Sequence, residues 1–325
     1  MADGSLVQYI LNNTLISTNP GLAFSTLAPS PPNVCLVFLK AFAQEGTDRT
    51  TLVADWSSTA VVNNVANFCP NTIIITHSAG PITMPWASHP NVKAIVAAHL
   101  PGQESGNSIV DVLYGVVNPS GKLPYTIANS EADNNFAPIT DSPALRATTD
   151  PNAWQSDFVE GPLIDYRHFD YYNTSVLYEF GFGLSYTTFG MANLVIGKIV
   201  GNVTARAPSA RTAPGGNPNL YETLFRISVA VTNTGAVAGA AVPQLYLSLP
   251  PVDGITPSPL RVLRGFEKVV LQPGQSETVT FDLMRRDVSF WDTRRQEWII
   301  AAGEVGVHAG FSSRDFQVEG SFSPL

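Results

Sequence analysis

The sequence predicts an α/β domain built on a parallel sheet, followed by an all-β sandwich. Two patterns lead to that expectation. Between residue 33 and about residue 129, continuous apolar runs of strand length alternate with stretches of helical periodicity, which is how strands buried on both faces are spaced. Beyond about residue 190, short alternating runs recur between turn signals, the pattern of two packed antiparallel sheets. A chain of 325 residues is long enough to give each part its own core.

Composition narrows the classes. The net charge is −8 with only 14% charged residues, so there is no basic footprint for nucleic acid, and no nucleic-acid partner is expected. A hydrophobic share of 44% and a mean hydropathy of +0.08 exclude a disordered chain. No stretch approaches the roughly 18 consecutive apolar residues of a membrane span, so no membrane partner is expected. Gly 25 and Pro 25 exceed ordinary usage and point to many turns and short strands.

The elements follow in order. Residues 1–32 read as an N-terminal extension. Polar residues interrupt its apolar positions and no basic segment precedes them, so it does not read as a signal peptide and leaves the compartment open. The α/β domain is expected over 33–150. Its strands are Val34-Cys35-Leu36-Val37-Phe38-Leu39, Thr72-Ile73-Ile74-Ile75-Thr76 and Lys93-Ala94-Ile95-Val96-Ala97-Ala98. Between the first two, Val61, Val62, Val65 and Phe68 repeat at helical spacing, and Ile109, Val110, Leu113 and Tyr114 do so after the third, which makes the unit βαβ. Residues 151–189, rich in aromatics and without a sustained period, read as a linker. The β-sandwich is expected over 190–325, with strands at 224–231, 244–249, 277–283, 297–300 and 304–308 and an exposed Pro/Gly-rich loop at 207–218.

Two cysteines, Cys35 and Cys69, flank the first helical stretch. They read as buried thiols, with a disulfide between adjacent elements as the alternative. Three Asn-x-Ser/Thr sequons begin at Asn12, Asn173 and Asn202 and suit a secreted glycoprotein, although a chain rich in Asn and Thr produces such triplets by chance.

A family resemblance enters at Leu100-Pro101-Gly102-Gln103-Glu104-Ser105-Gly106-Asn107, continues through Asp111-Val112-Leu113-Tyr114-Gly115 and Asn118-Pro119-Ser120-Gly121-Lys122-Leu123-Pro124, and returns at Ile164-Asp165-Tyr166-Arg167-His168-Phe169-Asp170. Tyr178-Glu179-Phe180-Gly181-Phe182-Gly183-Leu184-Ser185-Tyr186-Thr187, Val231-Thr232-Asn233-Thr234-Gly235 and Leu263-Arg264-Gly265-Phe266-Glu267-Lys268 extend it. With these motifs the chain closely resembles the fungal β-glucosidases of glycoside hydrolase family 3 over residues 33–325. The resemblance implies, in chain order, a (β/α)8 barrel, an α/β sandwich and a fibronectin type III-like domain, of which this sequence matches the last two. The family's nucleophile is an Asp on the barrel. Only 32 residues stand before Asn33, where a barrel needs about 250.

A retaining glycosidase works with two carboxyl groups, a nucleophile and an acid/base. The resemblance places the acid/base in a Glu-Gly segment upstream of an Asp-Arg pair, and Gln44-Glu45-Gly46-Thr47-Asp48-Arg49 is the matching stretch, shorter than in many relatives. Glu45 is therefore the candidate acid/base, against a structural role capping the next helix or pairing with Arg49. Asp48 and Arg49 are expected to hold the loop or contact ligand, as a buried pair at the strand's C-terminal end. Asp55-Trp56 resembles the context of the nucleophile but lies in the wrong domain for it. His77-Ser78 lacks the Gly-x-Ser-x-Gly elbow and reads as structural. Glu104 falls in a helix's first turn, where the unpaired N–H groups favour a carboxylate. Trp86, Trp154, Tyr166, Phe169, Tyr171, Tyr172 and Tyr178 form an aromatic set for sugar stacking or domain contacts; of these, Trp86 and Tyr166 are taken as binding or loop-positioning residues.

No metal is expected, since the five histidines are scattered and the cysteines have no Cys-x-x-Cys spacing, and no cofactor is expected either. Two functions remain open. The chain is a portion of a β-glucosidase that does not hydrolyse glycosides alone, or a barrel-less protein repurposed for a small molecule, a partner or a non-hydrolytic reaction. A β-glucoside or other small molecule is the expected ligand, and self-association is expected through the face that packs on the barrel in full-length relatives.

Overall fold

The computed structural model describes residues 6–28, 30–46, 49–134, 158–252 and 257–325. They form two compact units, one of residues up to Tyr114 with Ile127–Asp133, the other of Gly115–Thr126 with the described residues from Asn134 onward.

The first unit opens with two short helices, α1 (Asn13–Thr18) and α2 (Pro20–Phe24). Asn12 caps α1, and Asn19 ends it and caps α2, whose first residue is Pro20, the position where proline's missing N–H is harmless. Then come β1 (Cys35–Ala41), α3 (Ser58–Phe68), β2 (Thr72–Ser78), β3 (Val92–Ala97) and α4 (Ser105–Leu113). The three strands lie parallel in the order β1-β2-β3, in the register Val37↔Ile74 and Ile74↔Ile95. Each expected apolar run is a strand, because a parallel sheet carries its helices on its faces and asks for apolar side chains along the strand.

Val61, Val62, Val65 and Ala66 of α3 are buried, as are Val37, Leu39 and Ile74 of the sheet. Pro70 cannot continue α3, and Cys69 closes it through its N–H to Val65 O. Behind α3, α1 docks through Asn64 Nδ2, which donates to Ile16 O at 2.9 Å, while Phe24 stacks on Phe68 with centroids 4.3 Å apart.

The expectation of buried thiols is corrected here. Cys35 and Cys69 form a disulfide, their Cα atoms 6.2 Å apart. The cause is the register: Cys35 begins β1 opposite Thr72, and Cys69 ends α3 three residues before Thr72, so the crossover returns the two sulfurs to the same corner.

The second unit is largely antiparallel. After the short strand β4 (Ile127–Ala128) of the first unit, the chain forms α5 (Tyr166–Tyr171), β5 (Val176–Tyr178), β6 (Phe189–Lys198) and β7 (Thr223–Asn233). β8 (Gly239–Ala241), β9 (Gln244–Ser248), β10 (Val262–Phe266), β11 (Val269–Leu271) and β12 (Ser276–Met284) follow. The last four are β13 (Ser289–Asp292), β14 (Glu297–Ile300), β15 (Val305–Gly310) and β16 (Phe316–Phe322). One sheet has the order β12-β7-β6 and a second the order β10-β9-β15-β16. Alternate residues of β7, namely Phe225, Ile227, Val229 and Val231, meet Leu245 and Leu247 of β9, Phe281 and Leu283 of β12, and Val305 and Val307 of β15 in one core. The tract 207–218 is mostly exposed, as expected of a loop without an apolar face.

Candidate functional site

The candidate site follows from how β1 ends. Its alternating side chains put Val37, Leu39 and Ala41 inside and Leu36, Phe38 and Lys40 outside, and the chain then turns at Glu45-Gly46. Gly46 has φ +75, a backbone conformation that a side chain would strain. Glu45 is exposed on this turn and forms no hydrogen bond or ion pair with a described residue. Neither of the structural roles expected for it is found there, since it does not pair with Arg49 and the N-cap of α3 is Ser57.

The neighbouring segments are pinned from several directions. Asp55 N–H donates to Lys40 O at 2.9 Å, and Asp55 Oδ2 accepts the Phe42 N–H at 2.7 Å, so this carboxylate is occupied in joining the α3 approach to the end of β1. Trp56 and Ser57 follow in left-handed conformations, φ 55 and 56, and Lys40 Nζ lies 4.2 Å from the Trp56 ring centroid. Trp56 is 63% exposed.

Arg49 Nη1 donates to Pro81 O at 2.9 Å, while its Nη2 is buried without a partner. Asp48, its expected companion, lies outside the described residues. Glu131 accepts from the Thr51 hydroxyl and the Leu52 N–H, and the Thr51 bond above all holds its carboxyl below the usual carboxylate range. Leu52 O in turn accepts the Thr83 N–H at 2.9 Å. Nothing local in the sequence marks Glu131, Lys40 or Trp56 as part of this arrangement.

The remaining candidates take other roles in the fold. Trp86 is only 2% exposed, a core residue of the turn after β2. Trp154 lies outside the described residues. Tyr166 belongs to the second unit and is 8% exposed. Its hydroxyl accepts the Leu263 N–H at 2.9 Å and its ring packs on Phe180 and Tyr246, so it joins α5 to β10. Burial pushes its phenol pKa up. Phe169 is buried, whereas Tyr171 and Tyr172 are exposed, so the aromatic set divides between core and surface.

Ser78 donates to Gly80 O at 2.7 Å, and the His77 Nε2 is buried without a partner, so the two are not coupled as nucleophile and base. Glu104 precedes α4 and accepts from Asn107 Nδ2 at 2.6 Å. Among the described residues no group of three His, Cys, Asp or Glu side chains could hold a metal ion.

Chemically, an unpartnered carboxyl on an exposed turn can give a proton to a leaving oxygen and take one from water. By itself it cannot carry a double displacement, which needs a second carboxyl about 5 to 5.5 Å away as nucleophile.

Residues 15–186 match the family profile described as "Glycosyl hydrolase family 3 C-terminal domain", and residues 241–313 match "Fibronectin type III-like domain". Over 323 residues the chain is 52% identical to "Probable beta-glucosidase G" of Aspergillus flavus, covering 99% of this chain and 39% of that protein. It is 42% identical over 334 residues to "Probable beta-glucosidase D" of Aspergillus niger, covering 99% and 42%. Among solved structures, the beta-glucosidase of Chaetomium thermophilum superposes with a TM-score of 0.86 at 32% identity, covering 99% of this chain and 46% of that one. The beta-D-glucoside glucohydrolase of Trichoderma reesei does so with a TM-score of 0.80 at 39% identity, covering 90% and 40%. The chain spans about two fifths of the length of the curated relatives it matches.

Proposed function

The chain belongs to glycoside hydrolase family 3, and from that membership we propose that it is the acid/base-bearing portion of a β-glucosidase, in which Glu45 protonates the leaving oxygen and then activates water. The 325 residues by themselves do not turn over a β-glucoside. One observation carries this reading: Glu45, at the position the family motif gives the acid/base, is an exposed carboxyl with no described partner, and no barrel that would bring a nucleophilic carboxylate to it lies within these residues.

The surface beside Glu45 supports the reading. Leu36, Phe38 and Phe42 along the outer side and end of β1, together with Trp56, are all exposed, and exposed apolar side chains in one neighbourhood mark interaction surfaces. In this reading a barrel-bearing segment covers it, and without that segment the chain self-associates through the same face.

Complementation tests it. The purified chain is mixed with the barrel-bearing part of a relative such as the A. flavus protein, and release of nitrophenol from an aryl β-glucoside is followed. Activity in the mixture that disappears with Glu45→Gln supports the assignment. Activity in the mixture that survives Glu45→Gln refutes Glu45 as the acid/base.

A further inference from the structure

A serine, a histidine and a carboxylate meet on the sheet β10-β9-β15-β16 of the second unit. The register brings them together. His308 of β15 stands opposite Glu319 of β16, and Gly306, two residues before His308, stands opposite Ser248, the last residue of β9. Side chains two apart along a strand share a face, so the His308 ring reaches diagonally to Ser248 past the position where Gly306 has no side chain. A Cβ on Gly306 would lie 3.1 Å from His308 Nε2, 3.2 Å from Ser248 Cβ and 3.6 Å from Ser248 Oγ. Glycine therefore keeps open a spot that faces both groups.

The contacts are those of a nucleophile, its base and the group that orients the base. Ser248 Oγ lies 3.0 Å from His308 Nε2, and His308 Nδ1 lies 2.7 Å from Glu319 Oε1. An Nδ1–H held by the carboxylate leaves the Nε2 lone pair toward the hydroxyl, the tautomer a general base needs. Ser248 Oγ also donates to Leu260 O at 2.8 Å. Carbonyl and imidazole are both within reach of the one hydroxyl, so rotation about Cβ–Oγ turns its proton from Leu260 O to Nε2. The His308 side chain is 18% exposed and packs against the Phe316 ring, 5.3 Å between centroids, which fixes the imidazole while leaving it open to solvent.

We propose that Ser248 and His308, with Glu319 as a positioning residue, form a second reactive centre that takes short acyl groups from aryl esters. Ser248 Oγ attacks the ester carbonyl carbon as His308 Nε2 takes the hydroxyl proton. The Oγ–C bond forms, the C–O bond to the aryl oxygen breaks, and the aryl oxide leaves with the electron pair and receives the proton from Nε2. Water then attacks the acyl carbon and gives a proton to Nε2, and Oγ leaves with the electron pair and recovers that proton. An aryl oxide is a good leaving group, which suits a centre made of a nucleophile and one base, and the gap of a single missing side chain at Gly306 suits a short acyl group. The proposal does not depend on the role of Glu45.

The test treats the full chain, disulfide intact, with an alkyl fluorophosphonate, which reads the first step: Oγ attacks phosphorus, the P–F bond breaks, fluoride leaves and Nε2 takes the proton. Peptide masses are expected to place one phosphonyl group on Ser248 of the folded chain and none on the chain in urea. Nitrophenyl acetate, quenched in acid, is expected to leave an acetyl group on the same residue, and Ser248→Ala carries neither label. His308→Ala is expected to slow labelling by about a hundredfold, and added imidazole recovers part of that rate. Glu319→Gln slows it as well, and Glu319→Asp, which returns a carboxylate, recovers part of the loss. A folded chain unlabelled at Ser248, or labelled there at the same rate with His308→Ala, overturns the proposal. Where His308→Ala does not fold, a rate at Ser248 unchanged by Glu319→Gln, a change at a side chain 59% exposed, overturns it instead.

Discussion

Glu131 Oε1 accepts the Thr51 hydroxyl at 2.5 Å across 80 residues of chain, and takes the neighbouring Leu52 N–H as well. The segment that follows Glu45 and Arg49 is thereby tied to the stretch after β4.

The Thr51 hydroxyl, followed by the Leu52 N–H, lowers the Glu131 pKa. A carboxyl with a depressed folded-state pKa stabilises the fold above its ordinary value, near 4.5, and that contribution is lost as pH falls through the folded value. Because Glu131 is exposed, Glu131→Ala is expected to destabilise the segment by only about 1 kcal/mol. Hydrogen exchange at Leu52, corrected for intrinsic rate, is expected to lose protection in acid in the native chain. In Glu131→Gln protection is lower and flat with pH, and a native-like acid transition in that variant would contradict the account.

The disulfide closes a loop of 34 residues. In the chain-entropy view that is worth about 4 kcal/mol, so Cys35→Ser is expected to lower the urea midpoint of the first unit sharply. Thiol titration of the unreduced, denatured chain is expected to find no free cysteine.

Tyr166→Phe removes the acceptor of the Leu263 N–H without changing the packing of the ring. Loss of this part-buried bond costs about 1 kcal/mol, so the variant is expected to unfold at lower urea. β-Glucoside binding, if Tyr166 only joins α5 to β10, is unaffected by the same change.

The parallel sheet was legible in the sequence because mostly apolar runs of strand length fall within 35–41, 72–78 and 92–97, even though the outer side of β1 is exposed at Leu36, Phe38 and Lys40. The edges of the sandwich were not. β16 mixes Gln317, Glu319 and Ser321 with apolar residues and stays mostly exposed, and β6 is interrupted where Asn193 takes φ 56 between Ala192 and Val195. Neither shows a clean alternation. The disulfide was hidden for another reason: a separation of 34 residues says nothing until the β1-β2 register is known. The aromatic set alone did not say which of its rings face the core, and the turn after β2 folds Trp86 inward. Glu45 was found through the family motif rather than through any period, and the Thr51–Glu131 contact, between residues 80 apart, emerges only when the loops are folded together.

The most direct measurement is hydrolysis of an aryl β-glucoside by the purified 325-residue chain alone. The retaining route needs both carboxyl groups, and each factor of ten in rate corresponds to about 1.4 kcal/mol of barrier, so loss of the nucleophile leaves no measurable turnover. The account predicts a background rate that is the same for the native chain and for Glu45→Gln. Robust hydrolysis by the native chain, abolished by Glu45→Gln, would contradict it by showing that a second carboxylate within this chain or a second copy serves as the nucleophile.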